Sequence, residues 1–346
     1  MSIETVGVLT GGGDCPGLNA VIRAVVRRAI ASRIRVLGVR NGWLGLIEND
    51  VEPLTRYSIS GILPRGGTII GTSRVNPFSS DEYLQKIRDN WRKFGLDALV
   101  VVGGDGTLSA ALRMWRDEHY PIVAIPKTID NDLRGTDFTF GFDTAVAVAT
   151  HAIDRLHTTA ESHHRVMVVE VMGRHTGWIA ACSAIAGGAD IVLVPEVPFR
   201  ISKVCELLKH RKEAGRAFSI VVVAEDARPH ADEDFLTFDQ RERIYKHERL
   251  GGIGQLVAYH IEQRTQIETR VTVLGYVQRG GTPTAFDRIL ATRFGIKAID
   301  MILHGEFGQM VALKGNSLTT VPISTAVSGL KLLSEEIYRT AEIFFG

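Results

Sequence analysis

The stretch that decides the fold lies near the N-terminus, where residues 5–10 read TVGVLT and residues 11–14 read GGGD. The first six are mostly apolar or β-branched and predict a buried strand. Between Leu18 and Ile30, apolar side chains then recur at helical spacing, with arginines on the opposite side. Pro16 comes early enough to start that helix. A strand, a glycine-rich turn and a helix in this order are typical of an α/β protein.

The same alternation continues along the chain. Short apolar runs predict further strands at residues 98–102, 122–125, 166–171, 191–194, 219–224 and 269–274, and helical spacing predicts helices at 145–156 and 286–301. The charged stretch 228–248 predicts a solvated surface excursion. The fold class is therefore predicted as α/β, with largely parallel sheets flanked by helices.

Length and composition limit the possible functions. A chain of 346 residues exceeds the usual size of one hydrophobic core, so two domains are expected. The net charge of +1 argues against a nucleic-acid or anionic-membrane partner. No apolar run reaches the ~18 residues of a membrane span, and the N-terminus lacks a signal-peptide core. Three scattered cysteines suit a reducing compartment, so a cytoplasmic location is expected.

Two glycine turns follow predicted strands. Glycines at a strand-to-helix turn let backbone N–H groups approach a phosphate, although Gly11-Gly12-Gly13 is equally compatible with a merely tight turn. The second turn, Gly103-Gly104-Asp105-Gly106-Thr107, places an acidic residue between glycines, where it can hold magnesium beside a polyphosphate. The alternative is that Asp105 only caps the next helix.

A third segment concentrates polar groups after a strand. Residues 126–132 read PKTIDND and bring two carboxylates and an amide to one loop. Phosphoryl transfer needs one carboxylate to accept the hydroxyl proton and another near the metal. The alternative is an Asx-rich turn. Four arginines near predicted strand ends favour an anionic substrate; they are Arg165, Arg174, Arg270 and Arg279.

These segments, taken in order, resemble the phosphofructokinase family over nearly the whole chain. The matching strings are GGD at 12–14, RGGT at 65–68, GGDGT at 103–107, KTIDND at 127–132, MGR at 172–174 and QRGGTP at 278–283. The resemblance implies phosphorylation of the 1-hydroxyl of fructose 6-phosphate to fructose 1,6-bisphosphate in glycolysis, with ATP as donor and Mg²⁺ as cofactor. It also implies a homo-oligomer, usually a tetramer with a dimer as the alternative, and two α/β domains with the active site between them. The predicted domains are 1–139 plus 254–303 for nucleotide and magnesium, and 140–253 plus 304–346 for the sugar phosphate.

The resemblance further implies roles for the matched positions. Asp130 would be the general base on the sugar, Arg174 would approach both the sugar and the transferring phosphoryl group, and Asp105 would bind magnesium. The donor site would be lined by Gly13, Arg74, Gly104, Gly106 and Thr107. Fructose 6-phosphate would be held by Thr128, Met172, Gly173, Glu225 and Arg279. Arg165 and Arg270 would reach its 6-phosphate from a neighbouring subunit.

Two positions bear on the donor. In relatives that use pyrophosphate, an aspartate commonly stands where this chain has Gly106, and a lysine where it has Lys127. An aspartate at 106 would crowd and repel the α-phosphate of a nucleotide, so Gly106 favours ATP. Lys127 adds a cation that either donor tolerates. Tyr276 stands where many ATP-dependent relatives have histidine, and its hydroxyl can still donate to a phosphate.

Three alternatives remain open. A pyrophosphate-dependent phosphofructokinase is the first, and a nicotinamide-dinucleotide kinase with a similar glycine turn is the second. The third is a non-enzymatic subunit, which predicts erosion at Asp105, Asp130 or Arg174, yet all three are present. An effector site of bacterial relatives has lost two cations, at His157 and Ala214, which predicts weak binding of a phosphorylated effector.

Overall fold

The chain forms two compact units in the computed structural model, which describes residues 3–233 and 252–345. The first unit comprises residues 1–144 and 279–330, and the second comprises 145–278 and 331–346. Each contains a largely parallel sheet with helices, so the predicted α/β class is confirmed. Among the described residues, no helix has both the length and the apolar character needed to cross a bilayer.

The sheet of the first unit contains eight strands within the described residues. They are β1 (Thr5–Thr10), β2 (Arg35–Val39), β3 (Val51–Leu54), β4 (Ala98–Gly103), β5 (Ile122–Thr128), β6 (Phe140–Gly141), β11 (Gln309–Lys314) and β12 (Ser317–Pro322). Seven run in the order β12-β11-β5-β4-β1-β2-β3, and β6 pairs with β5. Only β3 and β12 pair antiparallel, with β2 and β11 respectively. The carboxyl ends of β1, β4 and β5 therefore lie side by side.

Helices cover this sheet because each presents an apolar stripe to it. They are α1 (Leu18–Ala31), α2 (Trp43–Glu48), α3 (Asp81–Phe94), α4 (Asp105–Glu118), α9 (Ala285–Leu303) and α10 (Ile323–Ala326). The first helix begins at Leu18, two residues after Pro16, because Gly17 adopts a left-handed φ of 105° as its N-cap. The strands β1 and β4 are buried along their whole length. They read as continuous apolar runs because parallel strands are covered on both faces.

The second unit is built on a smaller, fully parallel sheet. Its strands are β7 (Val166–Val171), β8 (Ile191–Leu193), β9 (Ser219–Ala224) and β10 (Thr269–Val273), in the order β10-β7-β9-β8. Its helices are α5 (Phe142–His163), α6 (Trp178–Gly187), α7 (Ile201–Glu213), α8 (Ile253–Thr265) and α11 (Glu335–Glu342), with a short 3₁₀ helix at Gly275–Arg279. The first three residues of α5 and the last residue of the 3₁₀ helix belong to the first unit. The predicted charged excursion at 228–248 lies, from residue 234 onward, outside the described residues.

The bounds of the two units differ from the predicted domains. Residues 254–278 belong to the second unit because β10 hydrogen-bonds to β7 along its length. Residues 304–330 belong to the first unit because β11 pairs with β5, and β12 with β11. The predicted division rested on the family resemblance, whereas strand pairing between distant segments sets the observed one.

The N-termini of α5 and α9 cap each other. The Thr284 hydroxyl accepts from the backbone N–H of Asp287 at 3.2 Å and donates to the Asp143 carboxylate at 2.5 Å. In return, the Asp287 carboxylate accepts from the backbone N–H of Thr144 at 2.8 Å and from its hydroxyl at 2.5 Å. Asp287 is fully buried, and this burial raises the pKa of its carboxyl to about 6, although the bonds from Thr144 lower it.

Candidate active site

The first glycine turn follows β1 and is fixed by backbone hydrogen bonds. The N–H of Gly11 donates to the Val102 carbonyl at 2.9 Å, and the N–H of Gly12 donates to the Ser73 carbonyl at 2.8 Å. The Thr72 hydroxyl donates to the Gly12 carbonyl at 2.7 Å. Gly12 has a φ of 82°, a conformation that other residues rarely adopt. The segment before Arg74, which is itself exposed, therefore lies against the turn.

The second glycine turn leads directly into α4. The helix begins at Asp105, and Gly104 rather than Asp105 is its N-cap. Thr107 is buried against both turns: a Cβ on Gly11 would lie 2.6 Å from it, and a Cβ on Gly103 would lie 2.4 Å from it. These two glycines therefore make room for Thr107.

Two residues of this turn are exposed at the start of α4. Asp105 lies in the first turn of the helix, and its side chain is exposed. A cation can therefore reach its carboxylate. Gly106 is also exposed, and a Cβ built on it would meet no protein atom within 4 Å. The described part of the chain therefore imposes no steric requirement for glycine at position 106.

The end of β5 supplies a lysine, a threonine and an aspartate, all buried. Lys127 is 2% exposed, and its ammonium donates to the carbonyls of Gly11 at 2.9 Å and Gly13 at 2.5 Å. Burial lowers the pKa of Lys127, an effect that the nearby Cys15 opposes. Asp130 is 3% exposed; its carboxylate accepts from the Thr128 hydroxyl at 3.2 Å, and its N–H donates to the same hydroxyl at 3.0 Å.

The loop after Asp130 is held by its own amide residue. Asn131 is fully buried with a left-handed φ of 52°, and its side-chain oxygen accepts from the N–H of Thr139 at 3.1 Å. Asp132 is also buried. Such a backbone conformation in a non-glycine residue is uncommon and is maintained by surrounding contacts. The loop is thus an ordered element that fixes Asp130.

Arg279 lies against the first glycine turn. Its guanidinium donates to the carbonyl of Asp14 at 3.2 Å, and a Cβ on Gly13 would lie 2.5 Å from one of its nitrogens. The glycine strings at 65–68 and 279–281 also contact each other, because a Cβ on Gly66 would lie 2.2 Å from the carbonyl oxygen of Gly281. In the first unit, the structure thus brings Arg279 and the strings at 65–68 and 279–281 to the edge that carries the glycine turns.

Another predicted group lies at the carboxyl ends of β7 and β9 in the second unit. Gly173 and Arg174 both have positive φ, at 146° and 51°. The backbone N–H of Arg174 donates to the Glu225 carboxylate at 2.8 Å, which ties the two strand ends together. Met172 is half-buried, whereas the Arg174 and Glu225 side chains are exposed. Arg174 is a non-glycine residue at positive φ, which strains the backbone. Strained residues of this kind are common at ligand-binding sites.

Arg165 and Arg270 lie together at the opposite ends of these strands. Arg165 precedes β7, and its guanidinium lies 2.8 Å from one oxygen of Glu268. The other oxygen of Glu268 accepts from Arg270. The hydrogen bond from Arg165 is the main cause that lowers the pKa of Glu268. Tyr276 lies elsewhere, on the 3₁₀ helix, and its side chain is 78% exposed.

Several contributors had no local signal in the sequence. Thr72 and Ser73 reach the first glycine turn from about 60 positions away. Asn19 donates to the carbonyls of Arg65 and Gly66, each at 3.1 Å, and so fixes the string at 65–68. An isolated amide or hydroxyl in a loop is too common to be singled out without knowledge of its distant partner.

The effector-site positions of the second unit make internal contacts. His157 forms a 2.7 Å hydrogen bond with the Gly187 carbonyl. Asp190 pairs with Arg211 at 2.6 Å. Its carboxylate also accepts from the N–H of Ile220 at 2.8 Å. These side chains are engaged in holding β8, α6 and α7.

Comparison with known proteins identifies the family. A family model described as Phosphofructokinase matches residues 5–302. The chain belongs to the phosphofructokinase family. Over 342 residues, it is 54% identical to the pyrophosphate–fructose 6-phosphate 1-phosphotransferase of Streptomyces coelicolor, with 99% of each chain covered. It is 52% identical over 339 residues to the ATP-dependent 6-phosphofructokinase 3 of the same organism, covering 97% of this chain and 98% of the relative.

A solved structure gives the same assignment. The structure of phosphofructokinase from Saccharomyces cerevisiae superposes with a TM-score of 0.83 and 32% identity. The match covers 99% of this chain and 46% of that longer one, so the chain spans about half the length of the yeast protein. Family membership makes the chain a phosphotransferase of the phosphofructokinase class. Relatives named for either donor match it about equally well, and overall identity therefore does not choose between them.

The acidic residues are compatible with magnesium. Asp105 is an exposed carboxylate beside the glycine turns, and oxygen ligands are those that Mg²⁺ prefers. Among the residues that the structure describes, no three His, Cys, Asp or Glu side chains form a metal cluster.

Proposed function

We propose that this protein is an ATP-dependent 6-phosphofructokinase, which transfers the terminal phosphoryl group of ATP to the 1-hydroxyl of fructose 6-phosphate in glycolysis. The observation that carries the proposal is the position of Asp130, a buried carboxylate at the sheet edge that also carries both glycine turns. The relatives named for this reaction support it. The three cysteines are free, which suits the reducing cytoplasm.

Asp130 would act as general base on the sugar. Thr128 contacts both its carboxylate and its backbone N–H, so the side chain is oriented before substrate arrives. Phosphoryl transfer through a loose transition state removes the hydroxyl proton late, so a weakly basic carboxylate suffices. Arg174 would neutralise charge on the transferring group, since a guanidinium can bind phosphate oxygens in a bidentate manner.

Magnesium would be held by Asp105, directly or through water. When bound, the ion would neutralise charge on the phosphates of the donor. The chain itself would contribute the glycine turns, whose backbone can approach those phosphates closely, together with Gly13, Arg74, Gly104 and Thr107 as lining residues.

The proposal of ATP rather than pyrophosphate depends on Gly106. Because a Cβ at position 106 would meet no atom of the described residues within 4 Å outside its own stretch of helix backbone, the residue type there affects chiefly what binds beside it. Glycine leaves that space for the α-phosphate of a nucleotide, whereas an aspartate would place a negative charge in it.

Binding of fructose 6-phosphate would involve Met172, Gly173, Arg174 and Glu225 at the carboxyl ends of β7 and β9. Thr128, Tyr276 and Arg279 would add further contacts. The ordered turn at Gly173 and Arg174 supports this assignment, because its strained backbone holds the arginine in one position.

Arg165 and Arg270 would serve the site of a neighbouring subunit in a homo-oligomer, most simply a tetramer. Arg165 precedes β7 and Arg174 follows it, so a strand of six residues separates them. At ~3.3 Å per residue, this is about 20 Å. A single sugar phosphate is much shorter than this separation. The cluster of Arg165 and Arg270 at the far strand end supports a partner subunit as the recipient.

The test is formation of fructose 1,6-bisphosphate by the purified protein with magnesium, using ATP and pyrophosphate in parallel. Turnover with ATP is the expected result. Turnover with pyrophosphate alone would overturn the donor assignment and favour the pyrophosphate-dependent enzyme. Product with neither donor would overturn the proposal, and a parallel assay for phosphorylation of NAD would then test the dinucleotide-kinase alternative.

A further inference from the structure

Lys127 reaches across the sheet to the first glycine turn. It lies on β5, and β4 separates this strand from β1. Two strand spacings are about 10 Å, and the extended side chain together with its hydrogen bond to Gly11 covers about that distance. Its ammonium ends between the carbonyls of Gly11 and Gly13, and both accept hydrogen bonds from it.

An ammonium has three N–H donors, and two of those of Lys127 are used inside the protein. Gly12 is close as well, since a Cβ on it would lie 3.5 Å from the lysine nitrogen. With 2% exposure, the side chain is part of the interior of the turn. At most one donor is left for a ligand, which is little for a residue whose task is to recognise a phosphate.

Two backbone N–H groups of the turn also have partners inside the protein. The N–H groups of Gly11 and Gly12 donate to the carbonyls of Val102 and Ser73. The phosphate-binding capacity of the turn must therefore come from the N–H groups that follow, at Gly13 and Asp14. The Asp14 N–H belongs to the same planar peptide group as the Gly13 carbonyl, which Lys127 holds, so its direction depends on the lysine.

We propose that Lys127 is a positioning residue of the donor site: it fixes the carbonyls of Gly11 and Gly13, directs the N–H group of Asp14 towards the donor phosphates, and serves ATP and pyrophosphate alike. The proposal rests on the phosphoryl transfer proposed above. Under this proposal, Gly106 determines which donor is used, and Lys127 does not. A residue that shapes the turn acts on any donor that binds there.

The first test measures the turn without any substrate. Backbone amide hydrogen exchange is followed in peptides covering residues 10–15 for the wild type, for Lys127→Met and for the control Lys314→Met. Lys314 belongs to the same unit but is exposed and pairs with Asp137. Exchange should accelerate about tenfold or more in Lys127→Met, because two hydrogen bonds from a charged donor are lost. Unchanged exchange in this segment would overturn the proposal.

The second test uses kinetics with each donor that the wild type accepts. Lys127→Met should raise the KM for donor about tenfold or more, while the KM for fructose 6-phosphate stays within about twofold. Where both donors are used, the ratio of their kcat/KM values should change less than about threefold. A change of more than tenfold in that ratio would show that the lysine reads the donor, and would overturn the proposal.

A conservative variant distinguishes the loss of these hydrogen bonds from a general folding defect. Lys127→Arg keeps the charge and can donate to two carbonyls at once, so slow exchange of the turn should be retained relative to Lys127→Met. If Lys127→Met does not fold, Lys127→Arg carries both measurements, and fast exchange in a folded Lys127→Arg protein would contradict the assignment. Since exchange is measured without substrates, a wild type inactive with either donor would overturn the proposed function but leave the exchange result interpretable.

Discussion

Replacing Asp287 by asparagine should make the first unit less sensitive to pH. In the wild type, burial raises the pKa of Asp287 from its ordinary value of 3.8 to about 6. The stability that this carboxyl contributes is therefore full below about pH 3.8 and is lost as pH rises through about 6. Each unit by which the pKa is raised is worth about 1.4 kcal/mol, so the protein loses about 3 kcal/mol of stability in total as the pH rises. Asparagine stays neutral throughout, and its amide can still bond to Thr144.

The assay is urea unfolding at pH 4, 5, 6 and 7, followed by tryptophan fluorescence. Three of the four tryptophans, Trp43, Trp91 and Trp115, lie in the first unit and report on it. The free energy of unfolding of Asp287→Asn, minus that of the wild type, should rise by about 2.4 kcal/mol between pH 4 and pH 7, because part of the total is already lost at pH 4. Asp89→Asn is the matched control, because Asp89 is exposed and accepts from the neutral Gln85. A difference that stays constant to within about 0.5 kcal/mol would refute the reasoning.

Three further predictions concern the reaction. Asp130→Ser should lower kcat by about 10²- to 10⁴-fold with little change in the KM for fructose 6-phosphate, and near-normal turnover would contradict the base assignment. Gly106→Asp should lower kcat/KM for ATP about 100-fold, since a charge ~5 Å from a phosphate costs about 3 kcal/mol at an effective dielectric constant of ~20; unaltered ATP kinetics would argue against this. Arg165→Ala and Asp130→Ser, each nearly inactive alone, should regain activity when refolded as a mixture, and no recovery would speak against a site completed by a second subunit.

Most of the buried parallel strands could be predicted, several of them with good bounds. The predicted strands 5–10, 166–171 and 219–224 coincide with β1, β7 and β9, because their continuous apolar runs are long enough to stand out. The strands β2 and β3, and the pair β11 and β12, were not predicted. β12 is an edge strand of half-exposed residues, and its mixed polar sequence carries little signal.

The candidate site divides in the same way. Residues grouped in short strings, such as 103–107 and 127–132, could be selected from the sequence because several chemical groups occur within a few positions. The partners that hold them could not, since these contacts join segments far apart in the chain. Glu268 is an example: it bridges Arg165 and Arg270, and one acidic residue beside a strand has no distinguishing pattern.

The empty space beside Gly106 has an evolutionary consequence. Most residues near a catalytic centre are constrained twice, once by their ligand and once by the atoms packed around them. Position 106 lacks the second constraint, because among the residues that the structure describes no atom outside the local helix backbone lies within 4 Å of a Cβ there. A substitution at this position therefore has almost no effect on folding. Selection for the phosphoryl donor that is available can act on this one residue. Lineages of otherwise similar sequence could then separate by donor in a single step.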